Sequence, residues 1–171
     1  MTDTNDNTAA RPEPSYRLIS GIAESQEAID QVIAEARATL SIFDVSLGKR
    51  GFNGPKRTEA LRQFIVRGRA HRLVIALHEP ETLERDCPRL LALLRQFPTS
   101  IEIHRTLGQA RNAKDPFIVA DDHSVWHQLH FEQPRAIVAL HSPTDALPIA
   151  QRFAEIWEES EPAVFATTLG L

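Results

Sequence analysis

The sequence predicts an α/β domain built on a mixed, largely parallel sheet flanked by helices. Three observations point there. Apolar residues recur with a period near 3.6 in some segments and near 2 in others, and the two kinds of segment alternate along the chain. HRLVIAL, residues 71–77, carries an unbroken apolar run from Leu73 to Leu77, as expected of a strand buried on both faces of a parallel sheet. Finally, 171 residues with a single cysteine, Cys87, describe one domain whose core needs neither a disulfide nor a structural metal.

The elements follow in order. Residues 1–15, rich in Thr, Asn, Asp and Pro, are expected to be a disordered tail, and residues 16–162 the folded domain. Tyr16 to Ser20 reads as a short strand. Ser25 is the expected N-cap of a helix whose apolar face is Ile29, Val32, Ile33, Ala36 and Leu40. LSIFDVSL, residues 40–47, reads as a strand, and the glycine-rich GKRGFNGP turns the chain into a helix from about Arg57 that buries Leu61, Phe64 and Ile65. After the 71–77 strand comes a helix with Leu83, Leu90, Leu91 and Leu94, restarted by Pro88 near Asp86.

SIEIHR is a further strand, with Glu102 and His104 expected to face away from Ile101 and Ile103. Residues 106–116 read as a polar loop. Three closely spaced strands then run over 117–120, 124–129 and 135–140, the first two joined as a hairpin through Asp121, Asp122 and His123. A last helix follows Ser142-Pro143-Thr144, with Ile149, Phe153, Ile156 and Trp157 on one face. Residues 163–171 are expected to form a C-terminal extension.

No apolar run approaches the ~18–20 residues of a membrane span, and the first residues lack the basic start and apolar stretch of a secretory leader. A cytoplasmic protein with no membrane association is the expectation. Net charge is −4, unevenly placed: between Lys49 and Arg72 eight bases face one acid, Glu59, so this window carries +7 and the remainder −11. Such asymmetry can present a positive surface to polyanions. Within it, Lys49, Arg50, Lys56 and Arg57 surround a glycine loop at a helix start, where an anion could be held. The loop is no P-loop, because Pro55 follows Gly54 where that motif requires lysine.

Three runs then carry a resemblance. EALRQFIVRGRAHRLVIAL resembles the helix and buried strand of the phospholipase D-like superfamily. DPFIVADDHSVW resembles its H-x-K-(apolar)-x-x-x-D strand and following turn, and QRFAEIWEES its terminal helix. The likeness spans about 145 residues and implies a phospholipase D-like half-barrel or sandwich, and a homodimer in which each chain supplies half of a shared site. It further implies phosphodiester chemistry by a histidine nucleophile, with lysines on the phosphoryl oxygens.

Residue by residue the chemistry is missing. With Asp121 in the motif's aspartate position, Lys114 stands where the nucleophile belongs and Pro116 where the lysine belongs. With Asp122 there instead, Asp115 and Phe117 take those places. The chain has three lysines, none two residues after a histidine, so H-x-K occurs nowhere, and VWHQLHFE replaces the serine and asparagine that usually follow.

The expectation is a degenerate single-motif domain with no catalytic residue, a vestigial site at Lys114, Pro116 and Asp121, and a binding or assembly role. The alternative is a phosphodiesterase or nuclease rebuilt around Lys114, Asp121 and His127, with His130 nearby. His123, His127 and His130 do not suggest a metal site, since side chains alternate along a strand and no HExxH or CxxC is present. No cofactor is expected. The expected partners are a second copy, nucleic acid or a phosphorylated ligand, and possible association with another catalytic domain, for which the tail would serve as linker.

Overall fold

The computed structural model describes residues 10–166. One eight-stranded sheet runs through it, in the order β1-β7-β6-β5-β2-β3-β4-β8. The strands are β1 (Ser15–Ile19), β2 (Thr39–Asp44), β3 (Arg72–Leu77), β4 (Ile101–Thr106), β5 (Phe117–Ala120), β6 (Ser124–Gln128), β7 (Ala136–Leu140) and β8 (Ser160–Val164). The helices are α1 (Ile22–Glu35), α2 (Pro55–Val66), α3 (Leu83–Asp86), α4 (Pro88–Gln96) and α5 (Pro143–Glu158).

The α/β class and mixed sheet stand, but the sheet is mostly antiparallel. Only β2–β3 and β3–β4 pair in parallel. The other five pairings are antiparallel. Parallel neighbours need a crossover helix. α2 supplies one, α3 and α4 the next, and the β5–β6–β7 strands meander without one.

β3 is the strand the apolar run requires: Leu73, Ile75, Ala76 and Leu77 are buried on both faces. On one face Leu40, Ile42, Leu73, Ile75, Ile101, Ile118 and Trp126 pack beneath Ile29 and Ile33 of α1, Leu61 and Phe64 of α2, and Leu90 and Leu94 of α4. On the other, α5 covers the sheet together with Ala110, setting Phe153 and Ile156 against Phe43 and Phe117, and Ala146 against Val119 and Val125. α2, α4 and α5 each begin with proline, a residue with no N–H to leave unpaired in a first turn.

Several local expectations change. α1 begins three residues before Ser25, on Gly21, with no side-chain cap. Gly108–Asn112, expected as loop, forms a 3-10 turn. His104 is buried, its Nδ1 2.9 Å from Ser160 Oγ and its ring stacked on Trp157 with centroids 3.6 Å apart, because α5 and β8 close over β4 there. Ala163 and Val164, expected in an extension, end β8 and pair the sheet edge. Of the expected tail, residues 1–9 lie outside the described residues, as do 167–171 of the extension. Residues 10–14 are exposed and without regular structure.

Candidate ligand-binding site

At the carboxyl end of β2 the chain order reverses: β3 lies on one side, reached through α2, and β5 on the other. A crevice at such a point is where open α/β sheets take ligands. Asp44, the last residue of β2, is buried. Its Oδ1 accepts the N–H of Val45 at 2.7 Å and its Oδ2 that of Arg50 Nε at 2.5 Å. Burial pushes the Asp44 carboxyl up, and the Arg50 guanidinium and the Val45 amide only partly counter it. Arg50 itself lies over the Trp126 ring, 5.2 Å from its centroid.

The loop that carries these bases is pinned. Phe52 is fully buried, and Gly51 turns with φ +76, where an added Cβ would stand 2.7 Å from Gln26 Oε1. Arg57 is buried beneath it. Its Nε donates to Asp30 at 2.7 Å, its NH2 to the Gln26 carbonyl at 2.9 Å and its NH1 to the Arg50 carbonyl. Its cation also sits 5.3 Å from the Phe52 ring. Arg57, expected as a ligand-binding base, is thereby committed to three internal acceptors. Lys49 and Lys56 are exposed and make no side-chain ion pair among the described residues. Lys49 and Arg50 border a cleft of about 340 Å³ with Ser25, Gln26, Gln128 and Phe131.

Across the crevice lies the start of β5. The Lys114 carbonyl accepts the N–H of Phe131 and the Pro116 carbonyl that of Gln128, both at 2.8 Å. Lys114 is exposed. Pro116 is buried. Asp121 is far from both, at the other end of β5, in the left-handed region with φ 54. Its carboxylate accepts the N–H groups of Arg37 (2.8 Å), Ala38 (3.0 Å) and Thr39 (2.9 Å), fixing the turn between α1 and β2.

The set Lys114, Asp121 and His127 is therefore not gathered. His127, opposite Phe117 in the β5–β6 ladder, meets Asp115 instead, Nε2 to Oδ2 at 2.9 Å. Arg152 of α5 donates to the other oxygen at 2.5 Å. Desolvation alone would raise the Asp115 carboxyl, but the bonds from His127 and Arg152 outweigh it and hold it low. Since an ionised carboxylate only accepts, the His127 proton facing it sits on Nε2.

His130 stands apart in the β6–β7 turn, its Nδ1 accepting the Glu132 N–H at 3.2 Å. Among the described residues no three His, Cys, Asp or Glu side chains converge on a cation position. No helix among the described residues is long and apolar enough to cross a membrane. Asp44 and the Asp115–Arg152 pair escaped sequence reasoning. Nothing local marks a bond that joins positions 37 residues apart.

The basic window is also divided. Lys49, Arg50, Lys56 and Arg57 lie at the amino end of α2, while Arg67, Arg69 and Arg72 follow its carboxyl end. The helix has 12 residues, so about 18 Å separates the two groups.

The sheet order, the terminal helix α5 and the crevice at β2 define a phospholipase D-like fold. Nuc from Salmonella typhimurium, a phospholipase D family member, superposes with a TM-score of 0.60 at 16% identity, over 88% of this chain and 99% of Nuc. NucT from Helicobacter pylori gives 0.60 at 14% identity, over 88% of this chain and 100% of NucT. TrmBL2, an archaeal chromatin protein described as showing a novel mode of DNA binding, gives 0.65 at 15% identity over 87% of this chain. The chain spans about half of TrmBL2, 55% of its length. No curated protein sequence matches the chain. The chain belongs to the family of the domain of unknown function DUF7931, whose model matches residues 22–166.

Proposed function

We propose that the protein is a noncatalytic phospholipase D-like domain that binds a polyanion, nucleic acid or another phosphorylated ligand. The observation that carries the reading is the occupancy of the vestigial positions. Pro116 is buried with its carbonyl tied into β6, and Lys114 supplies an amine where an imidazole nucleophile is needed. A protonated lysine neutralises phosphate but does not attack it readily at neutral pH. The exposed Lys49, which lines a cleft with Arg50, and the exposed Lys56 and arginines of the basic window support a polyanion-binding role. The DNA binding ascribed to TrmBL2 supports the ligand class.

The test has two parts. A chromogenic phosphodiester incubated with excess protein should show no turnover, and a labelled oligonucleotide should bind at low salt with affinity that falls as salt rises. Robust cleavage would overturn the noncatalytic reading, and absence of binding at low salt would overturn the polyanion reading.

The Asp115–His127 contact favours a second reading, a rebuilt catalytic site. A carboxylate that orients one ring nitrogen leaves the other available as a general base. For it to hold, a measured hydrolytic activity must vanish in His127→Ala and fall sharply in Asp115→Asn.

A further inference from the structure

A second cluster of bases lies away from the cleft, where β2 and β3 begin. Arg37 precedes β2, Arg67 caps the end of α2, and Arg69 and Arg72 lead into β3. All four are exposed. The two strand starts are adjacent, since Thr39 pairs with Arg72 and the Arg72 N–H reaches the Ala38 carbonyl at 2.9 Å. None of the four has a carboxylate partner among the described residues, unlike Arg50, Arg57 and Arg62 further along the window.

The turn that presents them is held by internal hydrogen bonds and a ring stack. His71 Nδ1 bonds the Phe64 carbonyl at 2.6 Å and its ring stacks on Phe64. Arg72 NH1 donates to the carbonyls of Arg69 (3.0 Å) and His71 (2.9 Å). Asp121 holds the Arg37 backbone.

Two opposing charges must be weighed. Helices α1, α2 and α4 all end at this edge, and three helix C-termini amount to roughly −1.5 charge against four guanidiniums. Asp121, Asp122 and Glu35 each carry a negative charge but lie on the β5 side of the edge, Asp121 bonded to the amides that begin β2 and Glu35 3.4 Å from His141 at the end of β7. The charges are therefore segregated along the edge, the four guanidiniums gathered over β2 and β3 and the carboxylates towards β5 and β7.

We propose that this arginine edge, opposite the vestigial crevice, is a docking surface for the phosphate backbone of a nucleic-acid duplex. The inference rests on the polyanion reading above and names the surface that serves it. Guanidinium forks match phosphate oxygens in pairs, which four arginines and no lysine favour. Among the described residues no aromatic side chain is exposed beside them to stack an unpaired base, and Val66 is the one large exposed apolar neighbour, too little to anchor a lipid surface. The patch covers one to two strand spacings, about 5–10 Å, the axial reach of two or three phosphates of one strand.

The test uses the full chain and two unrelated 20-base-pair duplexes, with binding followed by fluorescence anisotropy between 50 and 200 mM salt. Three neutralised phosphates give a log–log salt slope of about −3 and a loss of ~50-fold over that range, alike for both sequences. Arg67→Glu/Arg69→Glu should weaken binding at least tenfold at 50 mM salt and bring the slope to about −1. Arg111→Glu/Arg135→Glu, an equal charge change at exposed sites elsewhere, should change it less than threefold.

Weakening confined to Lys49→Glu/Lys56→Glu would overturn the edge and leave the polyanion reading standing. No duplex binding at 50 mM salt would overturn both. Binding of phosphatidylserine vesicles through Arg67 and Arg69, without duplex binding, would replace nucleic acid by a lipid surface. Circular dichroism of each variant separates lost binding from lost folding.

Discussion

Asp121 offers a direct test of whether its carboxylate works for the fold or for a ligand. Its carboxylate takes three backbone amides at 2.8–3.0 Å. A hydrogen bond to a charged acceptor contributes about 1.5–3 kcal/mol when its loss strands a buried donor, and much less where water can replace it. The Arg37 and Ala38 bonds are exposed and the Thr39 bond is half-buried. Asp121→Ala should therefore cost about 2–3 kcal/mol, including strain from placing alanine at positive φ. In a domain of this size that lowers Tm by about 5–10 °C. Asp121→Asn keeps one acceptor oxygen and a residue tolerant of the left-handed region, so about half the loss should remain. Urea and thermal unfolding followed by far-UV circular dichroism would measure both. Losses under ~0.5 kcal/mol in both variants, with ligand binding abolished, would refute the structural assignment.

Arg57→Met should destabilise the domain by about 2–3 kcal/mol by freeing the Asp30, Gln26 and Arg50 acceptors, whereas Lys49→Ala should stay within ~0.5 kcal/mol; denaturant titration distinguishes them. Burial against Trp157 holds the His104 imidazole below its usual value, despite Glu102 Oε2 3.5 Å from it. A folded-state pKa below the unfolded one contributes stability that is present above about pH 6.5 and lost as pH falls through the folded value. Melting temperature should thus drop on that acid side in the parent chain and drop less in His104→Phe. Burial, with Asp86 adding to it, pushes the Cys87 thiol up to about 11, so iodoacetamide at pH 8 should label it slowly in the native chain and rapidly in urea.

Much of the fold was legible because it is written locally. The unbroken 73–77 run marked β3 as buried, and the spacing of FIVA and SVWHQ marked the β5–β6 hairpin. Partner order is a different matter. Nothing in β2 itself tells that its second neighbour is β5 running the opposite way, and so a mixed, mostly antiparallel sheet was taken for a mixed, largely parallel one. The candidate site divided along the same line. The motif spacing named Lys114 and Pro116, or Asp115 and Phe117, but it gave no sign of what each would touch. The burial of Arg57 depends on Asp30 facing it from α1, and the partner of His127 proved to be Asp115, not Asp121, because β5 places Asp115 and Asp121 at opposite ends. The arginine edge joins Arg37 to Arg72 only through the pairing of β2 with β3.

β1 and β8 form the two outer margins of the sheet, with six strands between them. At about 4.8 Å per strand, residues near 15 and 164 are therefore some 34 Å apart. Fluorophores attached at these margins would report sheet assembly as a single long distance. A fusion partner at one end would leave the opposite flank unobstructed, and a loop joining the two ends would need roughly ten extended residues to bridge them.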